Sequence, residues 1–363
     1  MTRKDKEGRP RQPLTRRKKI LITVTAIIAI LAAILVALYL NLNKNVRSED
    51  INQYLTQPRP TPVVSPGADP NANRAVNYVL IGSDTRNGSN LDYGGEANSG
   101  QRSDTTIIAH ISKDRKRVDM LSIPRDSIVD IPSCKLSDGT ETAEQPGTQF
   151  NAAFSEGDNT ATAVACTVAT IEKNTGIFID GYAVVDFAGF ADMVNSVGGV
   201  TYTVPERLVS SKANLDLQAG KQTLNGDQAL AYARARTFEV GGGDGSDLSR
   251  ITRQQDLLKA FAAKLTSADT MGNPATLYSV AGDVLKSMTV SPELGSVDKL
   301  AGFAYSMKNL PSSAVKFTTV PTEPWYLDEN RVIFSTGAGN VFDDIINDKP
   351  VGTAEKATDV TGQ

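Results

Sequence analysis

The sequence predicts an α/β protein, namely an α/β/α sandwich with a central mixed sheet, preceded by one N-terminal transmembrane helix. From residue 75 onward, short apolar runs of strand type alternate with amphipathic segments of helical period. Such alternation is typical of a mainly parallel or mixed sheet with helices on both faces. The transmembrane helix is predicted because residues 20–40 are 21 consecutive residues without a charge.

The N-terminal segment has the length and the flanking charge of a membrane anchor. As a helix, residues 20–40 would span about 30 Å, which matches the hydrocarbon thickness of a bilayer. The basic tail before it, residues 1–19, carries nine Lys and Arg residues against Asp5 and Glu7. This asymmetry predicts a single-pass protein of the cell membrane with a cytoplasmic N-terminus and an extracytoplasmic domain. A cleaved signal peptide is the alternative, although its apolar region is usually shorter and ends at a small-residue cleavage site.

The rest of the chain is expected to form one folded domain between two irregular segments. Residues 41–74 form a Pro-rich linker, residues 75–348 the domain, and residues 349–363 a disordered tail. The net charge of the whole chain is −3, of which the basic tail contributes +7, so the remaining 344 residues carry −10. An acidic body of this kind argues against a nucleic-acid-binding surface.

Cysteine and histidine are scarce, which excludes a Cys/His zinc site. The chain has two cysteines, Cys134 and Cys166, and one histidine, His110. Outside the cytoplasmic membrane disulfides persist, so we expect the two cysteines to be bonded. Two reduced, buried thiols are the alternative. His110 lies inside a strand pattern and is expected to be a packed residue rather than a catalyst.

The expected elements follow in chain order, with the polar stretch 134–148 as a loop. Gly176 and the Gly198-Gly199 pair mark two helix ends, and Asn225 is the expected cap of a third helix. Strands are expected at residues 78–81, 105–111, 118–123, 177–187, 201–204, 315–320 and 331–334. Helices are expected at residues 160–173, 187–199, 224–236, 246–265, 277–287, 296–308 and 341–347.

The first three expected strands each carry charged residues at one end, and adjacent pairing would bring these ends to one rim of the sheet. Carboxylates and guanidinium groups on one rim suit a metal-bridged phosphate better than a core. Oxygen ligands favour Mg²⁺, or Mn²⁺, at Asp84 and Asp104. A turn or capping role is the alternative for either carboxylate alone. The charged residues at these ends are Asp84, Arg86, Arg102, Asp104, Arg125 and Asp126.

A second charged group surrounds the Gly-rich loop at residues 241–245. Arg234 and Arg236 end the helix before this loop. Arg250, Arg253 and Gln254 follow it with the spacing i, i+3, i+4, so they share one face in the first turns of the next helix. Helix N-termini and arginine forks both favour phosphate. We therefore expect an anion site here, with a solvated charged face as the alternative.

Six ordered sequence motifs over about residues 76–265 resemble those of the LytR-CpsA-Psr (LCP) family. The anchor-plus-ectodomain layout resembles the family as well. The polar stretch 134–148 is long, and FNAAFSEGD has Ser-Glu-Gly where the family often has a Gly-Gly turn. The motifs are YVLIGSDTR, QRSDTTIIAHIS, MLSIPRDS, FNAAFSEGD, GYAVVDFAGFADMVNSVGGV and LNGDQALAYARAR with GSDLSRITRQQDLL.

The resemblance implies a phosphotransferase that moves a glycopolymer, with its linking phosphate, from a polyprenyl-pyrophosphate carrier onto peptidoglycan. It implies Mg²⁺ (Mn²⁺ is possible) on Asp84 and Asp104, and Asp126 as a residue that positions Arg125. The implied partners are the lipid-linked glycopolymer, peptidoglycan and membrane lipid, with no nucleic acid. The residues implied to be catalytic are Arg102, Asp104, Arg125 and Arg234. The residues implied to contact the pyrophosphate are Arg102, Arg125, Arg234, Arg236, Arg250, Arg253 and Gln254.

Two other functions stay open at the level of sequence. A pyrophosphatase would act on the same lipid, with water in place of the glycan acceptor. A non-enzymatic, membrane-anchored regulator would bind the lipid without turnover.

Overall fold

The computed structural model describes residues 16–61, 74–83, 103–235, 237–242, 247–265, 267 and 274–352. The chain divides into two compact units, Met1–Lys44 and Asn45–Gln363. The helices are α1 (Arg16–Asn43), α2 (Ala152–Ser155), α3 (Thr160–Thr175), α4 (Phe187–Ser196), α5 (Gly226–Arg234), α6 (Asp247–Leu265), α7 (Pro274–Lys286), α8 (Val297–Ser306) and α9 (Thr336–Ile346). The strands are β1 (Arg47–Ser48), β2 (Val76–Ser83), β3 (Ser103–Ile111), β4 (Val118–Ile123), β5 (Ile128–Ile131), β6 (Gln145–Gln149), β7 (Gly181–Asp186), β8 (Val200–Val204), β9 (Leu208–Ser210), β10 (Leu215–Leu217), β11 (Gly220–Leu224), β12 (Met288–Val290), β13 (Val315–Thr319), β14 (Thr322–Trp325) and β15 (Asp328–Phe334).

Helix α1 contains the segment expected to cross the membrane. Its large apolar side chains from Ile27 to Leu40 are mostly exposed. Within the described part of the chain, no helix meets the length and hydropathy that a membrane span requires. The transmembrane helix at residues 20–40 therefore stays a prediction.

The second unit is built on a seven-stranded mixed sheet with the strand order β1-β12-β7-β2-β3-β4-β13. The pairs β1–β12, β2–β7 and β4–β13 are parallel, whereas β7–β12, β2–β3 and β3–β4 are antiparallel. This confirms the α/β prediction with a central mixed sheet. The strands expected at 78–81, 105–111 and 118–123 are the neighbours β2, β3 and β4, so the end of β2, the start of β3 and the end of β4 lie at adjacent positions.

One face of the sheet is covered by a filled hydrophobic core. Helix α3 starts at Asn159, whose side chain accepts a hydrogen bond from Thr162 N, and ends at Gly176 with φ 71°, the left-handed conformation that glycine adopts without strain. Nearly the whole helix is buried. The core below α2, α3 and α9 includes Val79, Ile108, Leu121, Phe150, Phe154, Val164, Val168, Ile171, Tyr182, Val341, Phe342 and Ile345.

The opposite face is covered by two separate clusters. Near β1 and β12, helix α8 packs Phe303 on Tyr78 of β2, with ring centroids 5.3 Å apart. Helices α4, α5 and α6 pack together with the hairpins β8–β11 and β9–β10 into the other cluster. Helices on both faces complete the predicted α/β/α sandwich.

Within the linker predicted at residues 41–74, the described residues from β1 to Arg59 contact the domain. Strand β1 joins the central sheet beside β12, Ile51 is buried in the filled core, and Arg59 binds Glu172 of α3 at 2.6 Å. The physical reason is that the prolines begin only at Pro58, so apolar residues before them can pack on the domain. Most of the proline-rich stretch, residues 62–73, lies outside the described residues.

Contacts with the domain continue for four residues beyond the expected boundary at residue 348. Asp348 accepts a hydrogen bond from Lys113 N at 3.0 Å, Gly352 N donates to Asp344 at 3.2 Å, and Val351 packs on the core. Residues 353–363 of the predicted tail lie outside the described residues.

Several short antiparallel elements are absent from the prediction, although residues 331–334 of β15 were expected as a strand. The expected loop 134–148 overlaps β6, which pairs with β5, and the hairpin β14–β15 follows the last strand of the central sheet. The structure joins Cys134, which follows β5, to Cys166 of α3 in a disulfide with Cα atoms 5.3 Å apart. His110 is fully buried between Asn77 and Asp348, as its strand position predicts.

Candidate active site

A cavity of about 630 Å³ lies between the sheet and helices α4, α5, α6 and α7. Its walls are almost entirely apolar, whereas a few charged and polar groups are grouped among the lining residues. The apolar lining includes Leu80, Ile107, Val185, Phe187, Phe190, Met193, Leu230, Leu257, Phe261, Leu265, Val284 and Met288. The polar lining is Asp104, Thr105, Asp186, Arg234, Arg250 and Gln254. A site of this composition suits an amphiphile with a long apolar chain and an anionic end.

Helix α5 brings Arg234 to the cavity. Asn225 caps the helix by accepting from Gln228 N at 2.9 Å, and Gly226 N donates to Asn195 of α4 at 2.8 Å. A Cβ at Gly226 would collide with the carbonyl of Ala191, so glycine is required for this close approach. At the other end of α5, the Arg234 guanidinium lies 4.2 Å from the Phe187 ring centroid, a cation–π geometry.

Helix α6 supplies two further polar groups. Arg250 is buried, with 3% of its surface exposed, although it lines the cavity. Gln254 accepts a hydrogen bond from Thr105 Oγ1 of β3 at 2.9 Å and donates to Ala233 O of α5 at 3.3 Å. Gln254 therefore connects the sheet, α5 and α6 at the polar part of the cavity. A buried arginine beside an open cavity is a strong attractor for an anion, because little solvent screens it.

The carboxylate of Asp104 joins this cavity to a chain of ion pairs. Asp104 Oδ1 accepts from Arg125 Nη1 at 2.6 Å, and Arg125 Nε donates to Asp126 Oδ2 at 3.3 Å. Asp126 Oδ1 accepts in turn from Gln149 Nε2 at 2.6 Å and from Arg331 Nη1 at 3.2 Å. Asp104, Arg125 and Asp126 therefore lie together, and Asp126 binds Arg125.

Sequence reasoning missed Arg331 and Gln149. Arg331 lies on β15, 205 residues after Asp126, in a strand of mixed charge that gives no motif. Gln149 ends β6, between the expected loop 134–148 and the motif FNAAFSEGD. No local signal in the sequence marks either residue, because their partner is brought to them only by the pairing of distant strands.

Arg253 occupies a different place from the one its spacing predicts. Its guanidinium donates to Ala235 O at 2.6 Å, to Ser249 Oγ at 2.8 Å and to Gly242 O at 3.3 Å, and it lies over the Phe238 ring. It is buried and is not among the residues that line the cavity. It holds the segment after α5 against α6, so in this structure it supports the site rather than facing it.

One ionisable side chain on α5 is excluded as a general base. Burial, followed by a hydrogen bond to Tyr202 at 3.0 Å, raises the pKa of Tyr232 far above its usual value. The phenol therefore stays neutral at every pH at which the protein is expected to work.

Three predicted site residues lie outside the described residues, namely Asp84, Arg102 and Arg236. Among the residues that the structure describes, no group of three His, Cys, Asp or Glu side chains is arranged to hold a metal ion. Asp104 and the hydroxyl of Thr105 nevertheless place hard oxygen donors on the cavity wall, the donor type that Mg²⁺ and Mn²⁺ prefer. Their chemistry fits a divalent ion.

The LytR_cpsA_psr family model matches residues 38–342 of this chain. This chain belongs to the LytR-CpsA-Psr family. The probable cell wall biosynthesis protein LcpB of Corynebacterium glutamicum is 35% identical over 239 residues, 64% of this chain and 52% of LcpB. The polyisoprenyl-teichoic acid–peptidoglycan teichoic acid transferase TagV of Bacillus subtilis is 35% identical over 185 residues, 50% of this chain and 43% of TagV.

Solved structures agree with the LCP fold. The crystal structure of B. subtilis TagV has a TM-score of 0.55 at 25% identity and covers 80% of this chain and 99% of that structure. The LytR-Csp2A-Psr enzyme from Actinomyces oris has a TM-score of 0.59 at 19% identity, covering 83% and 96%. The chain spans about half the length of the curated relatives it matches.

Proposed function

We propose that this LCP protein is a phosphotransferase that moves a glycopolymer, with its linking phosphate, from a polyprenyl-pyrophosphate carrier onto peptidoglycan. The observation that carries the proposal is the cavity whose apolar walls meet Asp104, Arg234 and Arg250. A polyprenyl pyrophosphate has the same division into a long apolar chain and an anionic end. The relative TagV, a polyisoprenyl-teichoic acid–peptidoglycan teichoic acid transferase, supports the same chemistry.

The reaction follows from charge. An acceptor hydroxyl attacks the phosphorus next to the glycan, a phosphodiester forms, and polyprenyl phosphate leaves with the bridging oxygen. Arg125, Arg234 and Arg250 stabilise the charge on the phosphate oxygens, which is the main task of a protein in phosphoryl transfer. The proton of the acceptor hydroxyl passes to solvent or to a nearby carboxylate. Arg102 and Arg236 are proposed to complete the set of cations.

The proposed metal ligands are Asp84 and Asp104, with Mg²⁺ or Mn²⁺ as the ion. When bound, the ion would neutralise part of the charge on the two phosphates. The ion pair with Arg125 at 2.6 Å fixes the orientation of the Asp104 carboxylate. Asp126 then acts one step further away, since it fixes Arg125.

We further propose that α1 anchors the protein in the cell membrane with its N-terminus in the cytoplasm. The support is the uncharged segment 20–40, the basic tail before it and the exposed apolar side chains along α1. An anchored enzyme would meet a lipid carrier in the same bilayer.

The test is transfer by the full-length chain in detergent, with a radiolabelled lipid-pyrophosphate glycan as donor and purified peptidoglycan as acceptor. We expect label in the peptidoglycan and stoichiometric release of polyprenyl phosphate. Arg125→Ala should lower the rate about 100- to 1,000-fold, as when a donor that stabilises transition-state charge is removed. Arg207→Ala, which removes a surface ion pair with Asp216, is the matched control and should not change the rate.

Two results would contradict the proposal. Label released as free glycan phosphate, with none in the peptidoglycan, would show a pyrophosphatase. Binding of the donor without turnover, in the presence of Mg²⁺ and acceptor, would show a non-enzymatic lipid-binding protein.

A further inference from the structure

The tip of the β14–β15 hairpin is an exposed apolar surface. Tyr326 is 85% exposed and Leu327 is 64% exposed, and the half-buried Trp325 meets the edge of Tyr326 with ring centroids 6.2 Å apart. The strands lose register at Pro324 and Trp325, which turns the tip out of the regular ladder. Exposed apolar side chains grouped at one place, as Tyr326 and Leu327 are beside the half-buried Trp325, often mark a binding surface.

The base of the same hairpin is bonded to the active site. Val332 N donates to Asp126 O at 3.3 Å, and Arg331 Nη1 binds the Asp126 carboxylate at 3.2 Å. Asp126 binds Arg125, and Arg125 binds Asp104 on the cavity wall. The ion-pair chain therefore has the apolar cavity at one end and the hairpin at the other. If the donor lipid fills the cavity, the hairpin stands on the side that is left for the acceptor.

The charge of the hairpin indicates which ligand suits its rings. Residues 322–334 carry Glu323, Asp328 and Glu329 against Arg331, a net charge of −2. Hydrogen bonds from Asn330 lower the pKa of Asp328, so this carboxylate stays ionised. An acidic surface is repelled by anionic lipid headgroups. Aromatic faces flanked by carboxylate and amide groups suit an uncharged sugar, whose C–H groups stack on the rings and whose hydroxyls donate to the oxygens.

We propose that the Trp325–Leu327 tip binds a glycan strand of the acceptor polysaccharide and presents its hydroxyl to the site at Arg125. This inference rests on the proposed function for the existence of a glycan acceptor. Tyr326 is its principal contact, because it is the most exposed aromatic ring of the tip. Arg331 is a positioning residue, since it fixes the hairpin and the Asp126 carboxylate at the same time.

The single tryptophan of the chain makes the test specific. Trp325 is the only Trp, so its emission reports on the hairpin alone. The full-length chain in detergent is titrated, without donor, with soluble oligomers of N-acetylglucosamine, an uncharged sugar of the acceptor glycan strand. We expect a saturable change in emission, and about tenfold weaker binding for Tyr326→Ala, the loss typical of an aromatic anchor. Tyr326→Phe keeps the ring and should bind like the parent. Tyr305→Ala removes an exposed tyrosine from α8 and is the matched control.

A kinetic experiment separates this role from a general effect on the fold. Tyr326→Ala should raise the KM for acceptor glycan about tenfold and leave the KM for the lipid donor unchanged. Equal glycan binding by the parent and by Tyr326→Ala would overturn the proposal.

A membrane experiment gives a second outcome that would overturn it. If brominated lipids quench the emission of Trp325 after reconstitution into phosphatidylglycerol vesicles, the tip lies in the membrane. Because glycan binding is measured without donor, a chain that binds glycan but transfers nothing would count against the proposed function and not against this site.

Discussion

Neighbouring residues of the same strands point to opposite faces of the central sheet, where one face is packed and the other borders a cavity. On β7, Tyr182 and Val184 lie in the filled core below α3, whereas Ala183 and Val185 line the cavity below α4–α7. The strand period of two assigns them to these faces. The filled face is tied further by the disulfide to α3. One face therefore stabilises the fold, while the other leaves apolar surface open to a ligand.

The cavity on one face of the sheet (the hollow face) lowers the stability of the fold, and the packed core on the other face (the filled face) offsets this loss. An apolar cavity of about 630 Å³ loses dispersion contacts that a packed core would make. Helices α4 and α6 stand off from the sheet on large rings such as Phe190 and Phe261, which form the walls. The predictions below test this division, from the largest expected effect to the smallest.

A matched pair of phenylalanine truncations gives the largest expected difference. Phe154→Ala, in the filled core with 1% of its surface exposed, should lower the free energy of unfolding by about 3–5 kcal/mol. The half-buried Phe190 lines the cavity, so Phe190→Ala creates no new cavity in a packed region and should lower the free energy of unfolding by about 1 kcal/mol. Urea unfolding of both variants measures the two values. Equal losses would show that the two faces do not differ as described.

Loss of the disulfide tests the filled face again. The double variant Cys134→Ser, Cys166→Ser should lower the free energy of unfolding by about 3 kcal/mol, as expected for a loop of this size. Transfer activity per folded molecule should be unchanged, because neither cysteine lines the cavity. Thermal unfolding and an activity assay on the same sample measure both. A large loss of activity in folded protein would place the bond in the function of the site.

Filling the cavity tests the hollow face. Ala233→Phe on α5 adds a ring to the cavity lining and should raise the KM for the lipid donor about tenfold. Stability should change little, since the ring fills open space. Ala263→Phe, on the exposed side of α6, is the control and should leave the KM unchanged. An unchanged KM for Ala233→Phe would exclude the cavity as the lipid site.

The smallest expected change in stability concerns Asp348, which binds His110 and Arg117 beside the filled face. Burial raises the pKa of Asp348, but hydrogen bonds from His110 and Lys113 N, with the charge of Arg117, outweigh it and lower the pKa overall. A depressed carboxyl pKa stabilises the fold above the unfolded-state value, about 3.9, and this contribution is lost as the pH falls through the folded-state value. Asp348→Asn should therefore cost about 1 kcal/mol at pH 7.

The difference between the parent and Asp348→Asn should shrink as the pH falls below about 4. Urea unfolding from about pH 3 to about pH 7 measures this difference. A difference that is undiminished in acid would show that the carboxylate charge is not its source. In either case the affinity for the lipid donor should be unchanged, because Asp348 does not line the cavity.

Local patterns predicted much of this architecture. The apolar runs of β2–β4 and the capped α3 appear where expected, because strand and helix periods are local properties of the sequence. The same strand patterns predicted that Asp104 and Arg125 lie close together, since the ends of neighbouring strands are adjacent in the sheet. The sequence did not predict the position of the cavity. An apolar residue on the inner face of a strand has the same sequence pattern whether the helix opposite packs against it or leaves a gap.

Contacts between distant, weakly patterned segments escaped prediction. Arg331 and Gln149 meet Asp126 only through the pairing of short strands. Arg253 shares a helical face with Arg250, yet turns to backbone carbonyls of the segment after α5. Spacing on a helix defines a face, but the neighbouring loop decides whether an arginine faces a ligand or the backbone.

The most direct test of the central claim is a crystal structure of the chain with a polyprenyl pyrophosphate and Mg²⁺. We expect the prenyl chain between the sheet and helices α4–α7, along Phe190 and Phe261. The pyrophosphate should lie within hydrogen-bonding distance of Arg234 and Arg250, next to the Asp104–Arg125 pair. A structure in which ordered lipid lies elsewhere while this cavity stays empty would contradict the account.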